Sequence, residues 1–208
     1  PVTRPWTLGR ILRNNLERCP NNPAVMYPDR QMSWTWVEFS ERVDRLAKGL
    51  MALGVKKNEK VAVWATNVPD WVSLMFATAR IGAILLTINT NYRDSELDYV
   101  LKQSDCDNLF LIDRFRDADY VEMVYRLVPE LKECPRGSLK SSRYPFLKRV
   151  FFLGAEKHRG MYSINELQSV GVLVSDEEYQ ERENQVSCHD VVNMQYTSGT
   201  TGFPKGVQ

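Results

Sequence analysis

A chain of 208 residues with 43% hydrophobic content carries enough apolar material for a buried core of ordinary domain size. Its 27 lysines and arginines balance 26 aspartates and glutamates to a net charge of +1, with both signs mixed along the sequence, which argues against a nucleic-acid binder. No run nears the ~18 uninterrupted apolar residues of a transmembrane segment, and Cys19, Cys106, Cys134 and Cys188 have no C-x-x-C spacing. The expectation is a soluble, cytoplasmic protein with reduced thiols and no zinc site; peripheral membrane contact and oligomeric state stay open.

Thr7 is placed to cap a helix whose Leu8, Ile11, Leu12 and Leu16 form one apolar face, with Pro20 beyond its end. Ala24 to Tyr27 and Gln31 to Trp34, separated by Pro28-Asp29-Arg30, predict a small β-hairpin. Thr35 and Glu38 then make a capping box, and Phe39, Val43, Leu46, Leu50 and Leu53 recur at helical spacing until Gly54. Val61 to Ala65 is a continuous apolar run of strand length, the pattern of a strand covered on both faces. Asn67 is the expected cap of the next helix, with Pro69 in its first turn and Gly82 at its end.

Ala83 to Ile88 is a second buried strand, Ser95 with Asp98 opens a helix to about Gln103, and Leu109 to Ile112 is a third strand. An amphipathic helix is expected from Asp119 to about Leu131, followed by an exposed, irregular loop over 132–145. Arg149 to Leu153 is a strand, Ser163 to Leu167 opens a short helix, and the charge run from Glu177 to Glu183 is expected to be a solvated surface segment. Strands alternating with helices predict an α/β fold, a largely parallel sheet flanked by helices with the hairpin at its start. Trp34, Trp36, Trp64 and Trp71 are assigned to packing. His158 and His189 lack neighbours at metal-ligand spacing, and Cys188 beside His189 cannot form a dyad if the two point to opposite faces of a strand.

Val191 to Tyr196 delivers the chain, as a strand, to Thr197-Ser198-Gly199-Thr200-Thr201-Gly202-Phe203-Pro204-Lys205-Gly206. Glycines let backbone N–H groups turn inward, hydroxyls add donors and a lysine adds a compact positive charge, a composition suited to polyphosphate. Lys205 lies between Pro204 and Gly206, so this is not a Walker A loop, and the glycine spacing is not the dinucleotide fingerprint.

The order Tyr-Thr-Ser-Gly-Thr-Thr-Gly-x-Pro-Lys-Gly resembles the phosphate-binding signature of the adenylate-forming superfamily: acyl-CoA synthetases, luciferases and peptide-synthetase adenylation domains. Ser33 to Phe39, Arg45-Leu46-Ala47 to Val55, Lys60 to Val63, Asn67 to Trp71 and Ile81 to Asn89 are similar to that family's N-terminal motifs in their usual order. Thr87 to Tyr92 and Gly202 to Lys205 look most like medium- to long-chain fatty-acyl-CoA synthetases.

The resemblance implies that residues 1–208 are the N-terminal part of an adenylation domain, with its remainder and a C-terminal lid domain lying outside, and that the fragment alone is inactive. It implies a reaction in which a fatty-acid carboxylate attacks the α-phosphate of ATP, giving acyl-AMP and pyrophosphate, after which CoA displaces AMP. On that model Thr197, Ser198, Thr200 and Thr201 bind the β- and γ-phosphates and Gly199 and Gly202 allow close backbone approach. Thr197 also touches Mg²⁺, and Lys205 is the catalytic residue that offsets charge on the leaving pyrophosphate. Two alternatives remain open at this level: an adenylation enzyme for an amino or aryl acid, and a non-catalytic nucleotide-binding or interaction module.

Overall fold

The computed structural model describes residues 5–197 and 204–208. Thr7 caps α1 (Leu8–Arg18), its hydroxyl accepting the Arg10 N–H at 3.2 Å. β1 (Pro23–Tyr27) and β2 (Met32–Thr35) form the expected antiparallel hairpin, with Met26 opposite Ser33. Both halves of the Thr35–Glu38 capping box are made at the start of α2 (Trp36–Ala52), which buries Phe39, Val43, Leu46 and Leu50.

The remaining chain supplies β3 (Lys60–Trp64), α3 (Pro69–Arg80), β4 (Ile84–Thr87), α4 (Asp94–Gln103), β5 (Asn108–Leu111), β6 (Arg114–Phe115), β7 (Ala118–Asp119) and α5 (Tyr120–Leu127). It continues with β8 (Arg149–Phe152), β9 (Met161–Ser163), α6 (Ile164–Val170), α7 (Asp176–Asn184), β10 (Asn193–Thr197) and β11 (Lys205–Val207). Among the described residues, seven strands make one sheet in the order β11-β10-β4-β3-β5-β8-β9. Every pairing in it is parallel except β10 with β11, while β6 and β7 pair separately as a two-residue ribbon.

Right-handed crossovers decide which helices cover which face. The step from β3 to β4 runs one way along the sheet and the step from β4 to β5 runs back past β3, so α3 and α4 lie on opposite faces. α5 follows α4 and packs against it, whereas α1, α2, α3 and α6 pack together on the other side. Burial on both faces explains the unbroken apolar strands: Val61, Ala62, Val63, Leu109, Phe110 and Leu111 are all fully enclosed. Phe110 on β5 stacks on Phe151 of β8 at 4.3 Å between ring centroids.

Several expectations need correction. The residue at the N-cap of α3 is Val68, with no side-chain cap, so Asn67 does not cap it; Pro69 alone sets the first turn. α4 starts at Asp94 rather than Ser95, and its Glu96 accepts the Arg93 N–H at 3.0 Å. The helix predicted from Asp119 to Leu131 stops at Leu127 and gives way to a 3-10 turn from Pro129 to Lys132, because proline has no N–H to continue the ladder.

The 132–145 segment is irregular but is not merely an exposed loop: Leu139, Ser141 and Tyr144 are buried. Asp98 of α4 holds it, accepting from Arg143 at 2.8 Å and from the Tyr144 hydroxyl at 2.5 Å. The acidic run is not wholly solvated either. Glu183 of α7 is 5% exposed, bound in two places to the Arg80 guanidinium, and Tyr179 beside it is buried too.

Candidate functional site

In an open parallel sheet, ligands bind beyond the carboxyl ends of the strands, where successive connections leave toward opposite faces. Here that point lies between β3 and β4, whose following helices α3 and α4 are on opposite sides of the sheet, and β10 adjoins β4 there. The segments converging at this edge are 65–68, 88–93 and the end of β10 at Thr197.

Buried aromatics hold the middle segment. Trp64, at the end of β3, stacks face to face with Tyr120, 3.5 Å between centroids and 5° between planes. The Trp64 indole N–H donates to the Asn89 carbonyl at 3.1 Å and the Tyr120 hydroxyl to the Thr90 carbonyl at 2.5 Å. Burial pushes the Tyr120 phenol up to about 12, so it stays a donor at neutral pH. Two peptide carbonyls just past β4 are thereby fixed from inside the core.

Beside them, β10 and β11 form a hairpin in which Gln195 lies opposite Val207, Tyr196 opposite Gly206 and Thr197 opposite Lys205. Directly opposed residues of an antiparallel pair share a face, so the Thr197 hydroxyl and the Lys205 ammonium project to the same side, both exposed. Gln195, Thr197 and Val207 line an open cleft of about 520 Å³ together with residues 189–193.

Tyr196 and Gly206 face the other way, toward α4. A Cβ on Gly206 would sit 3.3 Å from the Tyr196 ring and 3.4 Å from the Met194 sulfur, a close fit that the bare glycine relieves by a few tenths of an ångström. The Tyr196 hydroxyl donates to the Gln103 side-chain oxygen, and the Tyr99 hydroxyl donates to the Pro204 carbonyl at 3.0 Å.

The fold therefore brings Thr197 and Lys205 together although seven residues separate them in sequence. Ser198, Gly199, Thr200, Thr201 and Gly202 lie outside the described residues. Among the described residues no group of three or more His, Cys, Asp or Glu could hold a metal ion. Thr197, the residue expected to touch magnesium, is exposed at the end of β10.

His158 packs edge-on against Phe152, and His189 lines the cleft beside Asp190; among the described residues neither belongs to a group of three or more that could hold a metal ion. Trp64 is core, as expected, but it is also a hydrogen-bond donor to the site's backbone. Tyr99, Gln103 and Tyr120 went unmarked by sequence reasoning. The available signal was that a buried indole or phenol needs a polar partner.

The model of the AMP-binding enzyme family matches residues 12–208. "Putative acyl-CoA synthetase YngI" of Bacillus subtilis (strain 168) is 47% identical over 201 residues, 97% of this chain and 37% of that protein. The human mitochondrial medium-chain acyl-CoA ligase ACSF2 is 33% identical over 201 residues, 96% of this chain and 32% of its own length. The chain thus spans about a third of the length of the curated relatives it matches.

Among solved structures, the anthranilate CoA ligase AuaEII in complex with anthranoyl-AMP superposes with a TM-score of 0.76 at 22% identity, covering 99% of this chain and 35% of that one. A long-chain-fatty-acid-CoA ligase (FadD1) from Archaeoglobus fulgidus gives 0.70 at 24% identity, covering 100% and 37%. At such identities the likeness speaks to the fold, an α/β unit found within larger adenylate-forming ligases. With its parallel sheet, its hairpin at the strand ends and a family match running over nearly its whole length, the chain belongs to the AMP-binding enzyme family.

Proposed function

We propose that this chain is the N-terminal part of the adenylation domain of an ATP-dependent acyl-CoA synthetase, which activates a medium- or long-chain fatty acid as acyl-AMP and transfers it to CoA. The observation that carries the reading is the pairing of Thr197 with Lys205 across a hairpin at the sheet's switch point. A hydroxyl and an ammonium on one face, joined in sequence by Ser, Thr and Gly, suit the phosphates of a nucleotide. Relatives named as acyl-CoA ligases, medium-chain among them, support the acid and the thiol. A cytoplasmic location accords with four unpaired cysteines, and among the described residues no helix is long and apolar enough to cross a membrane.

The chemistry follows from charge. Carboxylate and triphosphate repel, so an enzyme must hold them in line and offset the charge that develops on pyrophosphate as it leaves. In this reading Thr197 donates a hydrogen bond to a phosphate oxygen, and Lys205, on the same face, supplies the offsetting charge. The loop residues Ser198, Gly199, Thr200, Thr201 and Gly202 complete the cradle with hydroxyl and backbone donors.

ATP–pyrophosphate exchange by the full-length protein, run in parallel with fatty, aryl and amino acids, tests the assignment. Exchange with fatty acids is expected; exchange confined to amino acids would sink it. In the same protein Lys205→Ala is expected to slow adenylate formation about 10- to 100-fold, the worth of a charged hydrogen bond, and to slow thiol transfer far less. Equal slowing of both half-reactions would remove Lys205 from the pyrophosphate step.

A further inference from the structure

The residues immediately before Thr197 and Lys205 are tied to α4. Tyr196 precedes Thr197 and reaches Gln103; Pro204 precedes Lys205 and accepts from Tyr99 at 3.0 Å. Tyr99 and Gln103 are four residues apart, hence on one face of the helix. The helix itself has a fixed base, because Leu97, Val100 and Leu101 are buried in the core. Asp98 ties its other side to the 143–144 segment. The Tyr196 ring lying against Gly206 closes the arrangement from the hairpin side.

We infer that Tyr99, Gln103 and Tyr196 form a clamp that sets the separation and orientation of Thr197 and Lys205, so that α4 positions these two side chains for adenylate formation. This rests on the function proposed above. These are positioning residues: the Tyr196 hydroxyl bonds the Gln103 side-chain oxygen and the Tyr99 hydroxyl the Pro204 carbonyl, on the face of the hairpin opposite to the one that Thr197 and Lys205 share. Loss of either bond frees one strand of the hairpin to shift against the other, and a ligand held by groups on both strands then binds less well. The thiol-transfer step, in which pyrophosphate has already left, makes no demand on that separation.

The same geometry could instead serve stability alone, and the two roles differ in what they disturb. Tyr99→Phe and Tyr196→Phe each delete one hydroxyl and keep the ring. Tyr125→Phe is the matched control, since its hydroxyl also donates to a peptide carbonyl, that of Arg159 at 2.9 Å, but near β8 and β9 rather than the hairpin. In the full-length protein, the first two variants are expected to raise the KM for ATP in pyrophosphate exchange about fivefold or more, while thiol transfer from supplied acyl-adenylate stays within about twofold of wild type. Tyr125→Phe should leave both unchanged. Unaltered KM for ATP in Tyr99→Phe and Tyr196→Phe, or a parallel loss in both half-reactions, would overturn the clamp while the proposed function stood. A wild-type protein that exchanges pyrophosphate with no acid at all would overturn the function and the clamp with it.

Discussion

Glu183→Ala strips the carboxylate from a buried junction of four helices, and its cost follows from the contacts it leaves behind. Glu183 accepts from Arg80 Nε at 3.0 Å and Nη2 at 2.9 Å, and from Arg13 at 2.7 Å. Arg80 is 7% exposed and Glu183 5%, so water cannot replace either partner. With the carboxylate gone, the guanidinium retains Asp44 and the face of Tyr179, 4.6 Å away. One-sided loss of a buried pair costs about 3–5 kcal/mol. Against a total stability of about 5–15 kcal/mol for a domain, that is a large share.

Removing both charges is a different perturbation. Arg80→Met with Glu183→Leu removes both members of the most buried pair and leaves Asp44 its Tyr179 hydroxyl and Arg13 its partial exposure, so the double variant is expected to be more stable than the sum of the single changes predicts. A coupling energy of about 2–3 kcal/mol is expected. Urea unfolding of the chain, followed by tryptophan fluorescence and by far-ultraviolet circular dichroism with coincident transitions, measures it. Single variants that each cost less than about 1 kcal/mol and add without coupling would refute the claim that this junction fastens α7 to α1, α2 and α3.

Two other predictions concern titration and thiol chemistry. The Arg143 guanidinium, with Tyr144 and Lys102, holds the Asp98 carboxyl well below the usual carboxylate range. A depressed carboxylate contributes fully above its unfolded value near pH 4 and loses that contribution as pH falls toward the folded value. Asp98→Asn should therefore lower stability by about 1 kcal/mol at neutral pH, with the gap narrowing below about pH 4; a gap that stays constant into acid would contradict it. Cys106 is buried, its thiol pushed up to about 12 by burial and donating to the Asn108 carbonyl at 3.2 Å, whereas Cys188 is exposed. An aromatic disulfide reagent should titrate Cys188 in the folded protein and Cys106 only after unfolding. Labelling of both at one rate would show that the core around β5 opens readily.

Much of this protein is legible along the sequence because the signals are local. Capping by Thr7, the Thr35–Glu38 box and the end of α2 near Gly54 each depend on residues within a turn or two of one another. Strand-length runs of apolar residues such as Val61 to Trp64 announce burial on both faces, and the order of the Ser/Thr/Gly stretch before Pro204-Lys205-Gly206 draws attention to that segment as a phosphate-site candidate before any fold is known.

What periodicity cannot encode is which distant group meets which. The acidic run of α7 reads as solvated because its charges look alike in sequence; only packing against α3 turns Glu183 inward to Arg80, 103 residues away. β9 and β11, three residues each, carry no pattern of their own and exist because a neighbouring strand offers a ladder. Trp64 and Tyr120 look like ordinary core residues until the fold stacks them and aims their donors at Asn89 and Thr90. Sequence alone singled out the Ser/Thr/Gly stretch before Pro204-Lys205-Gly206, since its residue types and order resemble a family signature that needs no knowledge of the fold. Tertiary structure decided that Thr197 and Lys205 share a face and that α4 holds both strands beneath them, because strand register and helix placement are settled by burial across the whole sheet.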